Sequence, residues 1–128
     1  MIYLLDTQLV LWAAGDSDQP GRTARGLLGD ATNGFFFSAA VMWEVTIKAA
    51  FGRPDFEVDP RLLRRGLLQN GADELPITTE HGIAVGDLPA LHRDPVDRIQ
   101  IAQARVEGLV LLTADEAMAA YGSPVQLV

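Results

Sequence analysis

Short apolar runs alternate along this chain with longer stretches of helical periodicity, and this alternation constrains the fold more than any other feature. We predict strands at Ile2–Leu5, Phe35–Ser38, Glu74–Ile77, Leu109–Thr113 and Val125–Val128. We predict helices over Thr7–Ala14, Thr23–Asp30, Ala39–Phe51, Pro60–Gln69, Thr79–Gly86, Pro95–Glu107 and Glu116–Tyr121. Because parallel neighbours need crossover connections, which are usually helical, the pattern predicts an α/β fold with a mainly parallel central sheet and helices on both faces.

The composition fits one compact domain. The chain has 128 residues, 48% of them hydrophobic, and a chain of this size buries roughly two thirds of the surface that its unfolded form exposes. No repeat or long linker divides it, so we expect residues 1–128 to form a single domain. The absence of cysteine excludes a disulfide framework, a thiolate metal site and a cysteine nucleophile. With no signal-like leader and no apolar run of about 18 residues, we expect a cytoplasmic protein that does not enter membranes.

Acidic side chains are predicted to gather at one edge of the sheet. Right-handed crossovers place the carboxyl ends of parallel strands at the same edge, where ligands bind in α/β proteins. Asp6 directly follows the first strand, and Asp115 follows the fourth. Glu44 stands in the second turn of the helix after Ser38, and Asp97 stands in the first turn of the sixth helix. We therefore expect these four acids to converge within a few ångströms of a common point.

Such a group of acids favours a hard divalent cation. Carboxylates in one cleft repel one another, and their pKa values rise unless a positive charge is bound. Mg²⁺ or Mn²⁺ prefers oxygen ligands and keeps several waters, whereas zinc fits less well because cysteine is absent and His81 and His92 are not closely spaced. We expect both histidines to be structural or exposed. The site predicts metal-assisted hydrolysis of phosphodiester bonds.

The same residues also have structural interpretations. Asp6 and Asp115 precede predicted helices and are suitable N-caps, and Asp94 is a better cap than Asp97 for the sixth helix. Glu44 and Lys48 are spaced for a helix-surface ion pair. Two predicted strands end in a hydroxyl residue, Ser38 and Thr113. Such hydroxyls most often form hydrogen bonds within turns, but they can also hold a carboxylate or a water at a metal site. Large aromatic residues are predicted to be core: Trp12, Trp43 and Phe35–Phe37.

Five segments in series resemble the PIN-domain family, specifically the VapC-like toxins of bacterial type II toxin–antitoxin pairs. They are residues 3–7 (YLLDT), 38–48 (SAAVMWEVTIK), 88–98 (LPALHRDPVDR), 101–104 (IAQA) and 112–115 (LTAD). Each segment alone is weak, but together they follow the family's order over nearly the whole chain. The resemblance implies a PIN-like α/β/α sandwich with a parallel sheet and an acidic, Mg²⁺-dependent ribonuclease site, in which Mn²⁺ can substitute.

The resemblance assigns catalytic and metal-binding roles residue by residue. The family's acids fall on Asp6, Glu44, Asp97 and Asp115, the same four that the topology brings together. Supporting roles fall on Ser38, Asp94 and Thr113. Candidates for substrate contact are Gln8 and Arg98. Two positions depart from the family pattern: Gln8 stands where the subgroup often has His, and Val96 where Phe is common.

The resemblance also implies partners. The family's toxins cut RNA and are inhibited by a cognate VapB-like antitoxin. They commonly form homodimers, and they reach DNA only indirectly, through the antitoxin.

Three other functions compete with this one. A receiver-type signalling domain shares the acidic edge, but it needs a lysine after a later strand, and the only lysine here is Lys48, inside a helix. A phospho-aspartyl hydrolase needs a second Asp two residues after Asp6, where Gln8 stands. A PIN-like protein that is catalytically silent and acts only by binding stays open as the main alternative.

The net charge bears on the choice of partner. Lys and Arg number 10 against 17 Asp and Glu, so the formal charge is −7, which alone disfavours binding to phosphate backbones. Four of these acids are assigned to the metal site, where a bound cation reverses the local charge. Arg61, Arg64 and Arg65 are predicted to share one helix face, which is either simply solvated or a phosphate-contacting patch.

Overall fold

The computed structural model describes residues 1–15, 21–52 and 57–128, which form a parallel sheet covered by helices on both faces. The strands are β1 (Ile2–Leu5), β2 (Gly34–Ser38), β3 (Asp73–Leu75), β4 (Val110–Thr113) and β5 (Val125–Leu127). The helices are α1 (Thr7–Ala13), α2 (Arg22–Gly29), α3 (Ala39–Ala50), α4 (Pro60–Gln69), α5 (Thr79–Ala84), α6 (Pro95–Glu107) and α7 (Glu116–Ala119). A 3₁₀ turn, Val85–Asp87, follows α5.

The sheet has the strand order β3-β2-β1-β4-β5, and every pairing is parallel. Leu5 pairs with Phe37 on one side and with Leu112 on the other. The next residue along each of these three strands is therefore at the carboxyl edge, in the central part of the sheet. These three residues are Asp6, Ser38 and Thr113.

Alternating side chains of the central strand feed two hydrophobic cores. Tyr3 and Leu5 pack with apolar residues of α1, α2, α3 and α4. Leu4 packs on the opposite face with residues of α6 and α7. Two cores separated by one sheet make an α/β/α sandwich, which confirms the predicted fold class.

Most element boundaries lie within one or two residues of the prediction, and the differences have local causes. β3 ends at Leu75 rather than Ile77 because Pro76 has no N–H to give to the ladder. The fifth helix ends at Ala84 instead of Gly86, and its last turn tightens to a 3₁₀ turn. The sequence also predicts a loop over Gly15–Pro20 and an end to the third helix at Gly52 and Pro54; residues 16–20 and 53–56 lie outside the described residues.

One predicted core residue is on the surface. Phe37 is fully buried and Trp12, Phe35 and Phe36 are partly buried, but 57% of Trp43 is exposed, so its assignment to the core is wrong. The buried face of α3 carries Val41 and Val45, one turn apart. Trp43 is two residues after Val41, about 200° around the helix, and therefore faces outward.

The helices are short. In the part of the chain that the structure describes, none is long and apolar enough to cross a membrane.

Candidate acidic site at the carboxyl edge of the sheet

Asp6 occupies the centre of the carboxyl edge and is 5% exposed. Its Oδ1 accepts a hydrogen bond from the Leu9 amide at 3.0 Å, which caps α1, and its Oδ2 accepts one from the Thr113 hydroxyl at 2.5 Å. Burial raises the pKa of Asp6, these two hydrogen bonds oppose the rise, and the negative charges of Asp115 and Glu44 add to it. Asp6 is therefore the N-cap of α1, as predicted, and its carboxylate also feels the charges of two other acids of the predicted site, Asp115 and Glu44.

Thr113 connects Asp6 to the loop that carries Asp115. Its hydroxyl donates to Asp6 and accepts the backbone N–H of Asp115 at 3.0 Å. The Asp115 side chain itself accepts from the Ala117 amide at 2.8 Å and caps α7. The hydroxyl at the end of β4 therefore contacts a carboxylate directly, in the manner predicted for a supporting residue.

Ser38 contributes to the site by capping a helix rather than by contacting an acid. Its hydroxyl accepts from the Ala40 amide, which caps α3, and donates to Oε1 of Gln103 at 2.6 Å. The capped helix carries Glu44, half-buried, one and a half turns further on. Ser38 thus fixes the start of the helix from which Glu44 projects, and its supporting role at the site stays a prediction.

Asp97 lies in the first turn of α6. Oδ1 of Asp94 accepts from the amides of Val96 and Asp97 at 2.9 and 3.0 Å, so Asp94 is the cap, as predicted. Burial raises the pKa of Asp97 to about 6, and the charges of Asp94 and Glu44 contribute to the rise, whereas His92 opposes it. Both Asp6 and Asp97 therefore feel the charge of Glu44.

The four acids are neighbours, but they are not gathered round a single point. Among residues 1–15, 21–52 and 57–128, no three His, Asp or Glu side chains form a group that can hold a metal ion together. The expectation that all four converge within a few ångströms is therefore wrong. Mutual repulsion keeps the carboxylates apart, and Asp6, Asp97 and Asp115 each direct an oxygen to a partner within the protein.

The donor set nevertheless suits Mg²⁺. Mg²⁺ is usually bound by one or two carboxylates, with waters and substrate phosphates completing an octahedron, so a three-carboxylate cage is not required. The raised pKa values of Asp6 and Asp97 reflect buried carboxylates that repel neighbouring acids, a condition that a cation relieves. The carboxylates at this edge of the sheet therefore fit the Mg²⁺ ion that the sequence predicts.

A hydrogen-bonded group beside Asp97 was not predicted from the sequence. His92 Nε2 lies 3.1 Å from Asp97 Oδ2, and His92 Nδ1 lies 2.8 Å from the Tyr121 hydroxyl. The Arg98 guanidinium donates to the same hydroxyl and to the carbonyls of Pro89 and Val85. No local signal marks these contacts, since Tyr121 is 29 residues from His92. The only hint is that the His92, Asp97 and Arg98 positions fall in one of the segments that carry the resemblance.

The remaining candidates take other positions. His81 is buried and belongs to the cap of α5, where its Nδ1 accepts from the Thr78 amide, which confirms the structural role expected for it. Gln8, two residues after Asp6, is half-buried, and its buried Nε2 has no hydrogen-bond partner among the described residues. Substrate contact by Arg98 stays a prediction; its guanidinium already donates to three groups of the protein, the carbonyls of Pro89 and Val85 and the Tyr121 hydroxyl.

The arginines of α4 are on the surface. Arg61, Arg64 and Arg65 are all exposed, and Arg64 forms a two-pronged ion pair with Glu74 at 2.7 and 3.2 Å. This pairing favours the interpretation of a solvated face, and phosphate contact by this face stays a prediction.

Comparison with known proteins agrees with this fold. A model of the PIN domain matches residues 3–123. Solved structures with the same fold include VapBC2 from Rickettsia felis bound to a DNA fragment from its promoter, at 16% identity and a TM-score of 0.68, covering 100% of this chain and 98% of that one. VapBC-1 from nontypeable Haemophilus influenzae has 19% identity and a TM-score of 0.67, with 100% and 97% covered. FitAcB from Neisseria gonorrhoeae has 19% identity and a TM-score of 0.65, with 98% and 96% covered. No curated protein sequence matches the chain.

Proposed function

Because this chain belongs to the PIN domain family, we propose that it is a metal-dependent endoribonuclease and the toxin of a toxin–antitoxin pair. The observation that carries the proposal is the buried Asp6 carboxylate, which is held by Thr113 and faces the charges of Asp115 and Glu44 at the carboxyl edge of the sheet. A buried acid surrounded by like charges is costly for stability and is typical of a site that works with a cation.

We assign the cation to Asp6, Glu44, Asp97 and Asp115, with one or two of these carboxylates in direct contact. These carboxylates would hold Mg²⁺, and the bound ion would supply Lewis-acid activation of a water and charge neutralisation at the phosphate. Thr113 and the Leu9 amide hold the Asp6 carboxylate in one orientation. Gln8 stays our candidate for substrate contact because it is two residues after Asp6; its Nε2 is buried in this structure and has no hydrogen-bond partner among the described residues, so the contact requires the side chain to turn outward.

We further propose that a VapB-like antitoxin inhibits the protein in the cytoplasm and that the chain reaches DNA only through that partner. The support is the likeness to VapBC and FitAcB structures over the whole chain. Homodimerisation has its own support in α3, where Trp43 and Ile47, one turn apart, are 57% and 37% exposed. Adjacent exposed apolar side chains are typical of a surface that another protein covers, here a second copy.

The test is expression of the wild-type chain and of Asp6→Asn, followed by mapping of new RNA 5′ ends. We expect new ends only with wild type, because a neutral amide is a much poorer ligand for Mg²⁺ than a carboxylate. No new ends with either protein would favour the binding-only alternative. New ends with both proteins would remove Asp6 from the site.

A further inference from the structure

The Tyr121 hydroxyl determines which nitrogen of His92 carries the proton. Its oxygen receives two N–H donors: Arg98 at 2.9 Å and the backbone amide of His92 at 3.3 Å. A tyrosine hydroxyl has two acceptor lone pairs and one O–H. Both lone pairs are therefore in use, and the O–H is left to donate to its third partner, His92 Nδ1, at 2.8 Å. Nδ1 must then be the acceptor, and the neutral ring carries its hydrogen on Nε2.

That hydrogen points at Asp97. Nε2 lies 3.1 Å from Asp97 Oδ2, so the tautomer selected by Tyr121 is the one that donates to the carboxylate. The other tautomer would direct a lone pair at a carboxylate oxygen and repel it. Among the described residues, Oδ1 of Asp97 has no hydrogen-bond partner, so one oxygen is oriented by His92 while the other stays available.

The ring is held independently of Asp97. Tyr121 is 8% exposed and packs in the core between α6, α7 and the sheet. The two rings also pack against each other, with centroids 5.2 Å apart and planes tilted by 60°. Arg98 also holds the segment that precedes His92, because its guanidinium donates to the carbonyls of Pro89 and Val85. Contacts that do not involve Asp97 therefore fix the orientation of the His92 ring.

We propose that His92 is a positioning residue that, as the Nε2–H tautomer selected by Tyr121, fixes Asp97 with its second carboxylate oxygen toward the divalent cation. This inference rests on the proposed function. It differs from the usual arrangement, in which a carboxylate orients a metal-binding histidine, because here a histidine orients the carboxylate.

The test uses the purified chain, Mn²⁺ as the probe and titration followed by electron paramagnetic resonance of the free ion. His92→Leu removes the donor, and Tyr121→Phe keeps the ring but removes the hydroxyl that selects the tautomer. We expect both variants to bind Mn²⁺ about 10–100-fold more weakly. His92→Gln, whose amide can donate in place of Nε2–H, should restore most of the affinity. Tyr3→Phe is the matched control, because the Tyr3 hydroxyl contacts only the Met1 sulfur among the described residues.

A second readout needs no metal. Long-range ¹H–¹⁵N spectra distinguish the two tautomers, and we expect wild-type His92 to be Nε2–H and Tyr121→Phe to lose that preference. If His92→Leu does not fold, the spectra and affinity of Tyr121→Phe decide the question. Wild-type affinity in Tyr121→Phe and His92→Leu, together with loss of binding in Asp97→Asn, would overturn this inference and leave the proposed function intact. A wild-type chain that binds no Mn²⁺ would overturn both.

Discussion

Thr113 donates its hydroxyl hydrogen to Oδ2 of Asp6 at 2.5 Å, joining the ends of two neighbouring strands that are 107 residues apart in the chain. The Thr113 hydroxyl oxygen in turn accepts the backbone N–H of Asp115 at 3.0 Å. One small side chain therefore orients the most buried acid of the site and fixes the start of the loop that carries another.

Replacing Thr113 with Val keeps the shape of the side chain but removes both hydrogen bonds. We expect the affinity for Mn²⁺ to fall about 10–100-fold, because partners that orient a ligand carboxylate typically contribute this much. Isothermal titration calorimetry measures the change. Thr113→Ser retains the hydroxyl and should bind nearly as wild type does. Equal affinity in Thr113→Val and wild type would show that this hydroxyl does not orient the ligand.

Asp97 should make the metal-free protein less stable as the pH rises. Its pKa is raised from 3.8 to about 6 in the folded chain, so the folded state holds more protons than the unfolded state between these values. Stability therefore falls as the pH increases from about 4 to about 6. Asp97→Asn lacks this contribution, and we expect its Tm relative to wild type to rise over the same interval. Thermal unfolding in EDTA at pH 4 and pH 7 measures it, and a constant difference between the two proteins would contradict the assignment.

The exposed apolar surface of α3 should control the oligomeric state. Trp43→Glu or Ile47→Asp places a charge where we propose that a second copy packs, and burial of an unpaired charge is costly. We expect these variants to be monomers by light scattering under conditions in which wild type is a dimer. Ile83→Asp, at an apolar side chain that is 72% exposed on α5, is the matched control and should leave the dimer unchanged. A wild type that is monomeric at all concentrations would contradict the proposed interface.

RNA binding should depend on the divalent cation. The chain carries a net charge of −7, and Arg64 on the basic face of α4 is already paired with Glu74. We therefore expect wild type to bind single-stranded RNA weakly in EDTA and more strongly with Mg²⁺, measured by fluorescence anisotropy with a non-hydrolysable RNA analogue. Tight binding in EDTA would contradict this. If Arg61 contacts phosphate, Arg61→Gln would lower the salt slope by about 1.

The sequence predicts the parts of the molecule that depend on local pattern. Apolar runs and cap residues locate the strands and helices, and the parallel sheet then places Asp6 beside the ends of β2 and β4. The exposed position of Trp43 follows from the helical phase of Val41 and Val45, but the prediction used only the general preference of tryptophan for the core and therefore placed it there.

Contacts that depend on tertiary packing could not be predicted in this way. The link from His92 to Tyr121 joins two segments with no shared periodicity, and it forms only because α7 and the loop before α6 meet on one face of the sheet. The spacing of the four acids is also a tertiary property, because strand order brings their backbones near one another while repulsion and local hydrogen bonds determine how close their side chains come.

The most direct test of the proposed ribonuclease activity is cleavage of a labelled single-stranded RNA by the purified chain, with Asp6→Asn prepared in the same way. We expect cleavage by wild type in Mg²⁺, none in EDTA, recovery when Mg²⁺ or Mn²⁺ is added back, and no cleavage by a folded Asp6→Asn under any of these conditions. Cleavage that persists in EDTA, or that Asp6→Asn carries out at the wild-type rate, would contradict it.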